Sequence, residues 1–458
     1  MPAIPRVARD TAVIGLDIGT SLIKAVEMRA SHGEVQLLNV AIRPTPAEVI
    51  ANGVIVDPQT LGGAVRGMLS QHGFRARSVV ASVAGQSSLV VRPIEVPKMT
   101  RTELDDTMRW EVERHIPFAA SEVVMDYQPL VEPEALPESQ ANMEVLLAVA
   151  QEDMINAYIE TLRVAGLEPK ALDIEPLASC RSLIDMAAED GSYDHTIALL
   201  NMGASTTDIS VVRHGLLSFA RPVPLAGETL TAAITEALKR EQAEAERLKK
   251  EIGQVAMGSA AQAPPPAAPQ AAVQGLPEPT SETAALGGLV PAEEVEEGAA
   301  AARPVFDLSE ELADQMPAER RAAVPQLQPQ PPPEAQPEPE AAAPEAAAPE
   351  PPIALESRVQ QAMAPTLGEM VGEIRRSLEY FQTRYPDDRV DVVLLFGGTA
   401  LLPNLDRFLS NELGLRVEVG NPLAHLSALP AHLPAPYLKQ VACLLTVSVG
   451  LALREILE

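Results

Sequence analysis

The sequence predicts an α/β chain of two related halves, broken by one long Pro-rich insertion. Three observations predict it. Strand-like and helix-like patterns alternate over residues 12–250 and 362–458. A strand–Gly–strand hairpin occurs twice, as GLDIGTSLIKAVEM and as LLNMGASTTDISVV. Between about 255 and 355 the composition turns to Pro, Ala, Gln and Glu.

The elements follow in chain order. Ala12–Ile18 is an apolar run ended by Gly19, and Leu22–Met28 alternates as a returning strand. Val79–Val83 and Ser88–Ile94 read as further strands, and Thr196–Asn201 with Thr207–Val212 forms the second hairpin. Ile374, Leu378 and Phe381 share one face of a helix, and Val390–Phe396 is a buried-type strand that runs into Gly397 and Gly398. The tract from 255 to 355 holds 20 of the 42 Pro, its only aromatic residue is Phe306, and its only basic residues are Arg303, Arg320 and Arg321. Such a segment buries too little apolar surface to offset its chain entropy, so it is expected to be a disordered linker. Within it, Leu308 and Leu312 in 305–316 have the spacing of a short transient helix, but a mere fluctuation of composition is the favoured reading.

Charge excludes some functions. The 458 residues carry 63 acids against 35 bases, a net charge of -28. That balance argues against nucleic acid, whose affinity comes from Lys and Arg on phosphates, and against anionic lipid. Nearly half of the net charge sits in the Pro-rich tract, so the remainder is only moderately acidic. Cys180 and Cys443 lie far apart in sequence and suggest a reducing compartment rather than a disulfide framework. The longest apolar run, Val441–Leu453, falls short of the roughly 20 residues that span a bilayer, and the start has no signal-peptide shape. A soluble chain without direct membrane insertion is expected. The seven His show no ligand spacing.

The chemistry lies in three glycine-bearing elements. Gly15–Ser21 is a strand, an acid and a small-residue turn. Gly19 admits close backbone approach, Thr20 and Ser21 add hydroxyls, Lys24 follows on the return strand, and Asp17 could hold a metal through water. The second hairpin repeats the design with Asn201, then Gly203, Ala204, Ser205 and Thr206, then Asp208. Two such turns facing each other would clamp a polyphosphate. The third element is Phe396-Gly397-Gly398-Thr399-Ala400, where two glycines permit flat contact with a nucleobase or sugar.

At this point the chain resembles the actin/Hsp70/sugar-kinase superfamily of ATPases. GLDIGTSLIK is similar to its first phosphate motif, NMGASTTD to its second and FGGTA to its adenosine motif. Glu175, in DIEPLA, matches the first connecting segment, and Gly450 lies where the second would be. Glu246 and Lys249 resemble the helix by which bacterial actins meet ribose and adenine. Within the superfamily, WEVERHIPF, VVMDYQPL, VLLAVAQEDMI, AGLEPKALDIEPLA and NPLAHL resemble the PilM family of type IV pilus assembly, which is related to the division protein FtsA.

The resemblance implies an actin-like, two-lobed fold with a small inserted subdomain. By it, 1–91 with 167–195 and 438–458 form the first core subdomain, and 92–166 a small extra one. Residues 196–232 and 375–437 form the second core, 233–254 and 356–374 an accessory part of the second lobe, and 255–355 the insertion. It implies binding of Mg·ATP by Asp17, Gly19, Thr20, Ser21 and Lys24, by Gly203, Ala204, Ser205 and Thr206, and by Glu246, Lys249, Gly397, Gly398 and Thr399. It also implies docking to the N-terminal peptide of a PilN-type membrane protein. The chain would then sit in the cytoplasm at a PilN/PilO inner-membrane platform, within reach of pilus assembly ATPases. An FtsA-like filament former, which would self-associate, and a small-molecule kinase are the competing readings. An FtsA-like protein usually ends in an amphipathic membrane helix, and none is expected after LALREILE. One departure from the family pattern stands out. The second phosphate motif begins with Asn201 where the family has Asp. Asn keeps the shape but cannot accept a proton. At most slow hydrolysis is expected, with Asp17, Glu175 and Asp208 as the groups left to orient water.

Overall fold

The computed structural model describes residues 12–31, 34–85, 88–116, 118–184, 195–255 and 352–457, which lie in one compact unit. Fifteen strands and ten α-helices are assigned among them. The first hairpin is β1 (Ala12–Ile18) and β2 (Leu22–Ser31), followed by β3 (Glu34–Pro44) and the short pair β4 (Ile50–Ala51) and β5 (Val54–Ile55). Helix α1 (Pro58–Gln71) starts where Asp57 accepts a 3.0 Å hydrogen bond from the Thr60 amide and Pro58 takes the first turn. Then come β6 (Ser78–Val83), β7 (Leu89–Pro97), α2 (Arg101–His115), β8 (Val123–Pro129), β9 (Asn142–Gln151), α3 (Glu152–Ala165), β10 (Glu168–Ile174) and α4 (Glu175–Leu183).

The second half repeats the start with β11 (Thr196–Met202), β12 (Thr207–Arg213) and β13 (Leu216–Val223). It continues with α5 (Gly227–Leu238), α6 (Gln242–Ile252), α7 (Pro352–Arg384), β14 (Val392–Phe396), α8 (Leu405–Leu413), β15 (Arg416–Val419), α9 (Ala435–Val441) and α10 (Thr446–Leu457).

Two five-stranded sheets share one topology. The first runs β3-β2-β1-β6-β10 and the second β13-β12-β11-β14-β15. In each, three antiparallel strands are joined by two parallel ones. β1 and β11 sit at the centre and are buried along nearly their whole length. This is why their sequences read as continuous apolar runs rather than alternations.

The stretch 92–166 divides between two cores. β7, β9 and β8 make a three-stranded sheet whose core is Ile94, Val96, Leu104, Met108, Met143, Val145 and their neighbours. Met154, Tyr158, Leu162 and Ala165 of α3 instead join the core of the first sheet. There α3 lies so close to α1 that a Cβ on Gly62 would stand 2.6 Å from the Thr161 carbonyl.

The insertion expected at 255–355 lies almost wholly outside the described residues, as does the segment 305–316 with its helix-like spacing. At its edges the chain is folded. Val255 is buried and its amide donates to the Pro403 carbonyl at 3.0 Å, and α7 already begins at Pro352, with Leu355 packed against the second core. The apolar run at 441–453 does not form one straight helix. It turns through 89° between the segment Ala435–Leu444 and α10, and no single helix among the described residues is long and apolar enough to cross a membrane.

Glycine brings α10 onto the first sheet. A Cβ at Gly15 would stand 1.8 Å from the Ser448 carbonyl, and one at Gly450 would stand 1.7 Å from the Ala178 carbonyl of α4. Gly450→Ala is therefore expected to destabilise the protein by about 2 kcal/mol or more through overpacking. Gly63 in α1 has nothing within 4 Å of an added Cβ, so Gly63→Ala should stabilise by up to about 1 kcal/mol through helix propensity. Paired thermal melts check both signs.

Candidate functional site

The two hairpin turns meet across a cleft. Both close the same way: the Gly19 amide donates to the Leu22 carbonyl at 3.0 Å, and the Gly203 amide to the Thr206 carbonyl at 2.9 Å. The hydroxyls of Thr20 and Ser205 lie 3.2 Å apart, so the loops touch. Ser21 is exposed, and its carbonyl takes the Thr45 amide at 2.9 Å while the Thr45 hydroxyl holds the Gly19 carbonyl at 2.7 Å.

Strand register sets the charges behind the loops. Asp17 pairs with Lys24 across β1 and β2, and Asn201 with Asp208 across β11 and β12. Lys24 Nζ stands 2.6 Å from Asp17 Oδ2, and Asp17 is only 2% exposed. Glu175, the first residue of α4, accepts a 2.8 Å hydrogen bond from Asn201 Nδ2. Burial pushes the Glu175 carboxyl well above the ordinary carboxylate range, helped by Asp17 and Asp208 and opposed by Lys24 and Asn201. Burial likewise pushes Asp208 up to about 7, against the hydrogen bond from Thr206 and with help from Asp17. Between these groups lies a cavity of about 10 Å³, close to the space of one water, lined by Glu175, Ser179, Asn201, Asp208, Ser210 and Phe396 among others.

The remaining predicted residues converge on the other side of the second loop. The Gly203 carbonyl accepts from the Gly227 amide at 3.2 Å and from the Thr399 hydroxyl at 2.7 Å. Gly397 adopts φ +93, and a Cβ there would stand 2.6 Å from the Met202 carbonyl and 2.7 Å from Asn201 Oδ1. That position requires glycine, whereas Gly398 faces open space. The Glu246–Lys249 pair of α6 turns inward. Lys249 Nζ donates to the Gly227 carbonyl and to Thr231 Oγ1, both at 2.7 Å, and stands 2.7 Å from Glu246 Oε2. Against its partial burial, Lys249, Thr231 and Lys250 hold the Glu246 carboxyl below its ordinary value.

Sequence reasoning missed Thr45, Gly227 and Thr231, which connect these groups. The Gly in AGETLT was the available signal for Gly227. Among the described residues, no group of three or more His, Cys, Asp or Glu is arranged to hold a bare metal ion.

Two sheets of one topology, with their hairpin turns facing across a cleft, define an actin-like ATPase fold of the nucleotide-binding class. Comparison with known proteins agrees. A family model described as type IV pilus assembly protein PilM matches residues 15–257, just over half of the chain, and a model for cell division protein FtsA matches residues 198–435. The chain belongs to the PilM family of type IV pilus assembly proteins. FtsA of Streptococcus pneumoniae is 24% identical over 267 residues, covering 54% of this chain and 57% of that protein. FtsA of Pseudomonas aeruginosa is 26% identical over 254 residues, covering 52% of this chain and 60% of that protein. The chain thus spans under two thirds of the length of these curated relatives. A solved structure described as a PilM-PilN type IV pilus biogenesis complex superposes with a TM-score of 0.69 at 24% identity, covering 98% of this chain and 99% of that one. This likeness shows the fold.

The carboxyl of Asp208 gives a pH test. Between 3.8 and about 7 the folded chain keeps a proton that the unfolded chain has released. Its contribution to stability therefore falls as pH rises through that window and is level above it. Asp208→Asn removes this dependence. Its gain in Tm over the wild type should be near zero at about pH 4, grow to several degrees by about pH 7, and then stay flat. A pH-independent gain in thermal melts would contradict this.

Proposed function

We propose that the protein is an ATP-binding adaptor of type IV pilus assembly that docks onto the N-terminal cytoplasmic tail of a PilN-type inner-membrane protein. The observation that carries the nucleotide part is the meeting of Thr20 and Ser205 at 3.2 Å, which places two anion-cradling turns face to face. In this reading Gly19, Thr20, Ser21 and Lys24 grip the phosphates from one lobe, and Gly203, Ala204, Ser205 and Thr206 from the other. Glu246, Lys249, Gly397, Gly398 and Thr399 receive the nucleoside. The cleft must open for this, since the loops touch.

The donor set fits hydrated Mg²⁺ better than a bare ion. Asp17 is already paired with Lys24, and Mg²⁺ keeps several waters and is bound through one or two carboxylates and substrate phosphates. Bound there, the ion would offset charge on the phosphates. Asp17 would position it through water, and Glu175 and Asp208 would orient water. Asn201 donates to Glu175 and cannot take a proton, so the hydrolytic step lacks its usual acceptor. Binding therefore dominates over turnover. The family relationship supports the docking part, as does the structural neighbour described as a complex with PilN. The protein would be peripheral at the inner membrane through that partner. The match of an FtsA model to residues 198–435 favours self-association into filaments as a second reading, and sedimentation with ATP tests it.

Calorimetry of ATP and of a synthetic tail peptide, separately and together, is the direct test. Binding of each, with either ligand changing the affinity for the other, is expected. No peptide binding with or without ATP would overturn the adaptor reading. Lys249→Met should weaken ATP by about tenfold or more, roughly 1.4 kcal/mol, measured by the same titration. Phosphate release should be slow or absent in the wild type, compared alongside Asn201→Asp. Brisk wild-type turnover would refute the binding-dominated mechanism.

A further inference from the structure

A second concavity, of about 660 Å³, shares no lining residue with the cavity among the cleft carboxylates. Its walls are residues 92–95 of β7 and 218–221 of β13, and α7 supplies Arg376, Tyr380 and Arg384, with Tyr385 just beyond its end. Among the described residues β7 pairs only with β9, and β13 only with β12, so the groove lies where the edges of two sheets approach over one helix.

Its charge is unlike that of the chain. Arg92, Arg221, Arg376 and Arg384 line it, against Glu95 alone among carboxylates. Two further carboxylates stand beside it. Glu144 takes Arg384 at 2.9 Å, and Glu373 takes Arg221 at 3.1 Å and also pairs with Arg376. Counting both, arginine still exceeds acid here, in a protein of net charge -28. Arg221 and Arg376 are 46% and 61% exposed at their side chains, so their guanidinium groups keep donors for a second partner. Tyr380 is 61% exposed, with its ring 6.0 Å from that of Phe219. Exposed tyrosine beside arginine is the composition of interface hot spots, and a guanidinium presents a fork that fits a carboxylate.

We propose that this groove docks an acidic peptide segment of a partner protein, carrying an apolar side chain. Carboxylates of the segment meet Arg221 and Arg376, and the apolar side chain rests on Tyr380 and Phe219. Charge complementarity selects the occupant, because carboxylates can take the exposed donors of Arg221 and Arg376, whereas a basic segment would be repelled by them. The site stands apart from the nucleotide cleft and does not depend on ATP binding.

The test uses the full chain and fluorescein-labelled octapeptides read by anisotropy. The probe is Asp-Glu-Leu-Asp-Glu-Phe-Asp-Glu. One control replaces every acid with Lys, and another replaces Leu and Phe with Ser. Saturable binding of the probe without nucleotide is expected, about tenfold or more tighter than the lysine control and severalfold tighter than the serine control. The double substitution Arg221→Gln with Arg376→Gln should weaken it by about tenfold, and Tyr380→Ser by severalfold. Thermal melts matching the wild type show that these surface variants are folded. Equal binding of the acidic and lysine peptides overturns the proposal, and so does binding untouched by folded variants. If the probe binds only after residues 260–352 are deleted, the occupant is the chain's own acidic tract and no separate partner is called for.

Discussion

The burial of like charges behind the two loops is the constraint on which the site depends. Asp17, Glu175 and Asp208 come from three different elements, and the charge of Asp17 acts on both of the others. Burial pushes up two of the three, with Asp17 and Asp208 adding to the push on Glu175 and Asp17 to that on Asp208. Lys24 is the cation that answers them, at 2.6 Å from Asp17. A fourth carboxylate at 201 would face Glu175 with like charge, whereas the Asn201 amide donates to it at 2.8 Å. The same substitution that relieves the crowding removes a proton acceptor. A cation or a phosphate-bound ion entering the cleft would relieve what remains.

Holding those carboxylates together requires rigid supports from both halves. The first is the near-contact of α10 with β1 and α4 through Gly15 and Gly450. Asp173 reinforces it: Arg181 stands 2.6 Å from its carboxylate and also donates to the Gly450 carbonyl at 3.0 Å. Glu175 thus sits at the start of a helix that cannot shift without disturbing α10. The second support is the Gly203 carbonyl, which gathers Gly227 and Thr399 and, through Gly227, Lys249.

A third polar node fixes the small sheet to the second half. Glu144 on β9 accepts from the Tyr385 hydroxyl at 2.6 Å and from Arg384 at 2.9 Å, with Arg213 at 3.5 Å. Arg213 also stacks 4.1 Å over the Tyr385 ring and donates to Asp388 at 2.9 Å. Because β12 carries Asp208 near one end and Arg213 at the other, one strand joins the nucleotide cleft to the small sheet.

Much of the local structure was legible in the sequence. Ala12–Ile18 forms the strand expected of it, and both hairpins pair as their Gly turns require. Asn201, Asp208 and the paired Gly loops could be read because a turn and its flanking charges lie within a few residues. Periodicity encodes which face of an element is buried, but not what covers it. Only the tertiary structure decided that α3 completes the first core rather than the small sheet, that Lys249 reaches Gly227, and that the run ending in Leu453 bends instead of continuing. It alone decided that arginines from β7, β13 and α7 share one groove. Each of these depends on chain segments tens to hundreds of residues apart, brought together by close packing that no local pattern specifies.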